Sequence, residues 1–383
     1  MTNLFEIFYK FLLLGFISFG GPMAHLGYFR KTFVEKLRWL DEATYAKLVA
    51  LSQFLPGPSS SQVGFSIGLK RGGLIGGIVA FVAFTFPSFF ILYLLATFNI
   101  SQSDNSIING IIAGLKLFAA VIVADAALGM FKSFCKDKVS IVIFISATFI
   151  LLFFNSVFIQ TFVLIGAALL GGILIKNKPD TELLEPKKIK LFPFILFLIL
   201  LFTLPFLSFY SDIIKIFSAF YEAGSLVFGG GHVVLPLLEQ SLGNMITDEN
   251  FLLGYSLAQA VPGPMFTIAS FLGADILHSS PFFGALLSTI AIFLPGFLLI
   301  LSFWDSFESY TKKDKVLNAI AGVNAAVVGL LTAVLINTVI PSGIHSYLDF
   351  ALAAFGLYVL RKFKIPVLYM ITVFILIGIA FNF

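Results

Sequence analysis

The sequence predicts an all-α polytopic membrane protein built from two inverted-topology repeats, with re-entrant or broken helices and a connecting helix. Three observations predict it. Of the 383 residues, 59% are hydrophobic and 11% charged, and the mean hydropathy is +1.01, which excludes a water-soluble globular domain. Landmark motifs recur at a near-constant displacement, and Lys and Arg fill opposite sets of loops in the two copies. Four His, one Cys (Cys135) and two Trp are too few ligands for a Cys/His metal framework, and a lone thiol forms no internal disulfide. No metal or cofactor is expected. The net charge of +4 reflects basic residues flanking apolar spans, which sets topology and does not point to nucleic acid. The amino end lacks the charged start, short apolar core and small-residue cleavage site of a signal peptide.

About 20 apolar residues cross a bilayer core of about 30 Å. By that measure 73–98, 107–130, 157–175, 191–209, 281–303, 316–340 and 365–382 are good spans, and 139–154 and 344–360 are shorter ones. Phe19-Gly20-Gly21 recurs as Phe228-Gly229-Gly230, and Gln53 with Pro56-Gly57-Pro58 recurs as Gln259 with Pro262-Gly263-Pro264. Phe86-Pro87 answers to Leu294-Pro295 and Ala113-Gly114 to Ala321-Gly322, so the displacement is 206 to 209 residues throughout. The chain reads as a first repeat over 1–175, a charged linker with a connector helix over 176–211, and a second repeat over 212–383.

Loop charge orients the copies, because Lys and Arg concentrate on the cytoplasmic side. Residues 27–47 hold Arg30, Lys31, Lys36, Arg38 and Lys47, whereas the matching 236–254 hold none; Lys70-Arg71 is matched by His278-Ser279. The stretch 99–106 holds none, and its match holds Lys312, Lys313 and Lys315. The copies are therefore expected to be inverted, which requires an odd number of crossings per step: four per copy plus the unmatched 191–209. That parity makes the leading segments re-entrant. Residues 4–18 and 42–55 enter, break at Gly20-Gly21-Pro22 and at Pro56-Gly57-Pro58, and return; their mates are 213–227 and 248–261. The competing arrangement makes 4–26 and 212–235 ordinary spans with the connector at the surface.

A Pro-Gly-Pro in an apolar stretch must break a helix. Freed backbone groups at membrane depth are tolerated only inside protein or a watery cavity, and broken helices in inverted repeats mark midplane transport sites. Each returning arm starts at a break, so its free N–H groups and positive dipole end favour an anion. In the first copy those donors belong to Ser59, Ser60 and Ser61, whose hydroxyls add more, followed by Gln62, and in the second to Met265, Phe266 and Thr267, so the first copy is the better furnished. The bland reading is that the glycines and prolines only let helices pack closely.

Of 24 Lys and Arg, only Lys116 is mid-span, where a cation costs about 2.5–3.5 kcal/mol and so faces a partner or cavity. Its repeat mate is Asn324. The expected substrate site therefore gathers Ser59, Ser60, Ser61, Lys116, Asn324, Thr267, Gln53 and Gln259. Candidate proton carriers are Asp125, Glu222 and Asp275, with His25 and His232 just past the Gly breaks. Arg30 and Arg71 stand at the expected inner mouth, where a topological role also explains them.

Through Phe19-Gly20-Gly21-Pro22, Gln53-Phe54-Leu55-Pro56-Gly57-Pro58, Phe228-Gly229-Gly230-Gly231-His232, Gln259-Ala260-Val261-Pro262-Gly263-Pro264 and Ala321-Gly322-Val323-Asn324-Ala325-Ala326, the chain resembles the chromate ion transporter family in its long-chain, two-halved form. The resemblance covers nearly the whole length. It implies proton-coupled efflux of chromate across a bacterial cell membrane by antiparallel halves. The partners expected are a small oxyanion, chromate or sulfate, and the lipid bilayer, with a homodimer left open. Sulfate is a near-isosteric rival substrate. An intramembrane serine hydrolase is the remote alternative, lacking a G-x-S-x-G elbow or an H-E-x-x-H pair.

Overall fold

The computed structural model describes residues 4–19, 21–98, 106–154, 157–175, 189–227, 234–304, 306, 314–363 and 365–381. Among them there is no strand, and the protein is an all-α polytopic membrane protein. Among the described residues four helices are long and apolar enough to cross a membrane: Ser59–Thr97, Asn109–Phe134, Pro281–Phe303 and Leu317–Gly343. Other expected spans form shorter apolar helices such as Lys138–Phe153, Leu191–Leu207 and Val367–Phe381, which at about 1.5 Å per residue extend some 22–26 Å.

In the first copy α1 (Leu4–Ile17) is followed by α2 (Gly21–Phe29), a π-turn (Arg30–Lys36) and α3 (Glu42–Phe54). Then come α4 (Ser59–Thr97), α5 (Ser106–Phe134), α6 (Lys138–Phe153) and α7 (Val157–Leu174). The connector is α8 (Leu191–Leu207). In the second copy α9 (Asp212–Leu226), α10 (Val234–Leu242), α11 (Asp248–Ala260) and α12 (Ile268–Ile276, after a 3-10 turn Met265–Thr267) precede α13 (Pro281–Phe303). α14 (Asp314–Val334) continues through a π-turn (Leu335–Val339) into Ile340–Gly343, and α15 (Tyr347–Phe363) and α16 (Val367–Phe381) close the chain.

Local chemistry fixes the joints at matched places. Asp41 caps α3 by accepting from the Thr44 amide, and Thr247 caps α11 by accepting from the Asn250 amide, each supplying an acceptor for an orphan N–H. Pro56-Gly57-Pro58 ends α3, and its glycine takes φ +124°; Gly263 in the second break takes φ +111°. α4 kinks at Gly72-Gly73, where Gly73 has φ +65°, and so divides into a returning arm and a crossing part.

The leading segments are hairpins that stop at mid-depth. A methyl on Gly76 would meet Ile7, and one on Gly15 would strike the Phe84 carbonyl, so α1 runs parallel to the crossing part of α4 and ends halfway along it. Phe11 then stacks on Phe33 at 4.7 Å and tilts against Phe29 at 5.7 Å, which brings the segment after the break back beside α1. Ordinary spans for 4–26 are excluded by that return. In the second copy Gly224 abuts the Ile292 carbonyl halfway along α13; the break at 228–233, with Gly229, Gly230 and His232, lies outside the described residues, as does Gly20.

Matching helices of the two copies run antiparallel. Phe81 meets Phe293 at 4.9 Å and Phe89 meets Phe282 at 6.1 Å, so the crossing part of α4 and its counterpart α13 point in opposite directions. Small residues let other pairs approach backbone to backbone: Gly110 and Gly114 of α5 sit on Gly378 and Phe374 of α16, and Gly322 of α14 sits on Ala167 of α7. Each copy thus lends one long helix to the other's outer pair. The buried side chains form one large core and a smaller separate cluster, which runs from Ile7 and Phe11 to Phe84 and holds the first-copy hairpins.

Candidate functional site

Two backbone hydrogen bonds join the breaks of opposite copies. The Gly57 amide donates to the Val227 carbonyl at 2.8 Å, and the Gly263 amide donates to the Ser18 carbonyl at 2.9 Å. These are the same contact made twice, since Gly57 matches Gly263 and Ser18 matches Val227. Each glycine also rests on a crossing helix of the other copy: Gly57 lies against Gly296 and Gly263 against Ser88, again equivalent positions. The helix ends therefore converge on one level in the middle of the molecule.

At that level α4 begins without a cap, because Pro58 has no side-chain acceptor. Among the described residues no acceptor takes the amides of Ser59, Ser60 or Ser61, whereas the Gln62 amide binds the Pro58 carbonyl. The Ser61 hydroxyl is buried with no partner, and so are the hydroxyls of Ser18, Ser66 and Thr85 and the Gln62 Oε1. Gln62 Nε2 donates to the Pro56 carbonyl at 2.9 Å and to the Gly296 carbonyl at 3.2 Å, which pins the first break to α13. His25 is fully buried; its Nδ1 lies 3.3 Å from Ser60 Oγ and its Nε2 3.2 Å from the Ser18 carbonyl. That pattern is a neutral ring donating through Nε2 and accepting the serine proton at Nδ1. Orphan buried polar groups are rare in folded proteins, and two of these, the Ser61 hydroxyl and Gln62 Oε1, stand in the first turn of a helix N-terminus suited to an anion.

The second break is furnished differently. Both the amide and the hydroxyl of Thr267 bind the Pro264 carbonyl, and Gln259 Nε2 donates to Met265 Sδ at 3.0 Å. The Thr267 and Gln259 donors are spent internally, whereas the Met265 and Phe266 amides have no acceptor among the described contacts, and the arm opens with apolar side chains. Gln53, the mate of Gln259, is exposed.

A family model for chromate transporters matches residues 5–173 and 214–379. The chain belongs to the chromate transporter family. Among relatives of this family member, an uncharacterized transporter of Methanocaldococcus jannaschii is 27% identical, covering 87% of this chain and 83% of its own. The chromate transport protein of Pseudomonas aeruginosa is 25% identical over 87% of this chain and 80% of its own, and that of Cupriavidus metallidurans 27% over 85% and 80%. No solved structure matches.

The remaining candidates of this chromate transporter family member are dispersed. Lys116 Nζ pairs with Glu249 at 3.1 Å, its side chain 15% exposed against 75% for the glutamate. It lines a separate polar cavity of about 280 Å³ with Asn109, Asn250, Ser342, His345 and Asp349; none of Ser59, Ser60, Ser61 or Asn324 borders it. Asn324 keeps a buried, unpartnered Oδ1. Asp125 is held by Arg361 at 3.4 Å, and Asp275 accepts from Asn250 at 3.0 Å. Glu222 lies in the last turns of α9 with no bonded side chain among the described residues. Arg30 binds Glu35 and Glu42, and Arg71 pairs with Glu6 and lies over Trp39, at the feet of the first-copy hairpins.

Gln62, which follows the three serines directly in the returning arm, was legible in the sequence, although its bonds to Pro56 and Gly296 were not. Ser18 also belongs to this centre; it precedes the Gly pair and carried no signal of its own.

Proposed function

We propose that this protein is a secondary transporter that exports a tetrahedral oxyanion, chromate first, across the cell membrane in exchange for protons. The observation that carries the reading is the uncapped start of α4, with the orphan Ser61 hydroxyl in its first turn, at the level where both copies' breaks hydrogen-bond each other. An oxyanion there accepts from the Ser59, Ser60 and Ser61 amides and from the Ser61 hydroxyl. Charge-assisted bonds of that kind are roughly twice as strong as neutral ones. Asn324 serves from its crossing helix, Lys116 meets the oxyanion in its own separate cavity, Gln53 joins from the exposed end of α3, and Thr267 and Gln259 join when the second break opens and releases their internal bonds. Glu222 is the mid-depth carboxylate best placed for proton exchange. Alternating access follows from rocking one repeat against the other. The Pseudomonas and Cupriavidus relatives, which bear the name chromate transport protein, support the substrate class.

Everted vesicles test the reading with labelled chromate, with and without a pH gradient. Export should fall for Lys116→Ala and for Ser59, Ser60 and Ser61 changed together to Ala; wild-type rates in both remove this site. Competition by sulfate at comparable concentration favours the sulfate reading. The Ser60–His25 contact gives the hydrolase alternative its one foothold, and covalent labelling of Ser60 by a serine-directed probe would revive it.

A further inference from the structure

Loop charge places residues 236–254 on the outer side, yet α10 turns Glu239 into the protein. Its carboxylate accepts a hydrogen bond from the Thr338 hydroxyl, in a narrow cleft of about 20 Å³ lined also by Leu151, Pro236, Gln240 and Asn337. No Lys or Arg pairs with it among the described residues. The charge that acts on it is acidic, Asp248 at the start of α11. α14 offers neutral Thr338 and Asn337, and α6 offers Leu151. α9, which also packs on α10, carries Asp212, Lys215, Tyr221 and Glu222, none of which bonds to it among the described contacts.

Glu239 is half-buried, and a carboxylate drawn from water without a cation costs more than a hydrogen-bonded carboxylic acid. Docking of α10 in this cleft therefore goes with a proton on Glu239. Two neighbours fit that use. Thr338 stands in the π-turn of α14, a kind of turn frequent at functional sites. Gln240 keeps a buried, unpartnered Oε1 beside it, an acceptor that a water delivering the proton would satisfy. The contact also links the copies: α10 is the returning arm of the second copy, and α14 packs on α6 and α7 of the first.

We propose that Glu239 takes up the transported proton from the outer side, docking α10 on Thr338 when protonated and releasing it when charged. The proposal rests on the proton-coupled reading above. The full chain in proteoliposomes tests it, with labelled chromate followed in two assays: exchange without a gradient, and net flux driven by a pH gradient. Glu239→Gln should keep exchange near the wild-type rate while its net flux falls to the level seen without a gradient. In this scheme only protonated Glu239 keeps the Thr338 contact, so Thr338→Val, which removes that contact, should move the midpoint of net flux against pH down by about one unit. Gradient-driven flux in Glu239→Gln equal to wild type overturns the proposal, as does loss of exchange together with net flux. Where Glu239→Gln fails to reconstitute, an unmoved midpoint in Thr338→Val overturns it instead. Wild-type chromate flux indifferent to the gradient sinks the proton-coupled reading itself, and Glu239 with it. A coupled wild type beside an equally coupled Glu239→Gln removes Glu239 alone.

Discussion

The two pairs of re-entrant hairpins descend from one pattern and are held differently. The second-copy hairpins merge with the main core, and α11 is tied to α5 of the other copy by Ser256 Oγ donating to the Leu115 carbonyl at 2.8 Å and by Glu249 on Lys116. The first-copy hairpins keep their own hydrophobic cluster, and α3 rests on α4 and the π-turn of its own copy. The furnishing differs in step. Unspent donors gather at Ser59 to Ser61, whereas Thr267 and Gln259 are engaged. The difference teaches that α11 is tied to the other copy by side-chain bonds, whereas the first-copy hairpins reach it mainly through their break, at Gly57 and Gln62.

The largest expected effect separates the two break glycines. An alanine at Gly57 forces a side chain into φ +124° and brings Cβ to 2.9 Å from the Gly296 backbone, with strain of roughly 1–3 kcal/mol from the backbone and about as much from overpacking. At Gly263 the first obstacle is the Ser88 hydroxyl at 2.7 Å, a side chain able to turn. Gly57→Ala should therefore lose more thermal stability than Gly263→Ala; equal losses would break the comparison.

Next comes binding. Ser61→Ala should raise the KM for oxyanion about tenfold, the worth of one hydrogen bond to a charge. Thr267→Val should stay within about threefold, because its hydroxyl already serves Pro264. Transport kinetics on the pair decide it, and a larger effect at Thr267 would place the anion in the second break.

A smaller effect follows from the tie between α11 and the other copy. Glu249 is largely exposed, so its pair with Lys116 is worth less than about 1 kcal/mol. Glu249→Gln should raise thiol labelling of a cysteine placed at Asn109 by about two- to fivefold, while the same probe beside Gln53 should see no change.

The smallest effect concerns the caps. The Thr44 amide, and then its hydroxyl, hold the Asp41 carboxyl below its ordinary value of 3.8. A depressed value means that the cap contributes in full above 3.8 and is lost as pH falls through the folded value. Thr247, the matching cap, does not titrate. Melting curves below about pH 4 should show Asp41→Asn losing acid sensitivity that Thr247→Asn never had.

Composition, repeated motifs and loop charge were enough to read the membrane class, the places where helices break and the re-entrant course of the leading segments. Those features are local: proline and glycine act on their own backbone, and charge acts through the water it must reach. Asp41 and Thr247 as caps belong with them. Tertiary structure alone decided who meets whom across the copies. Gly57 on Val227, Gln62 on Gly296, Lys116 on Glu249 and Asp125 on Arg361 join residues from about 130 to 240 positions apart, and no periodicity records such a partner. That donors gather at Ser59 to Ser61 was legible in the sequence, but that Thr267 and Gln259 are engaged while the Ser61 hydroxyl is left over was not, since a hydroxyl is satisfied or left over only once its neighbours are in place.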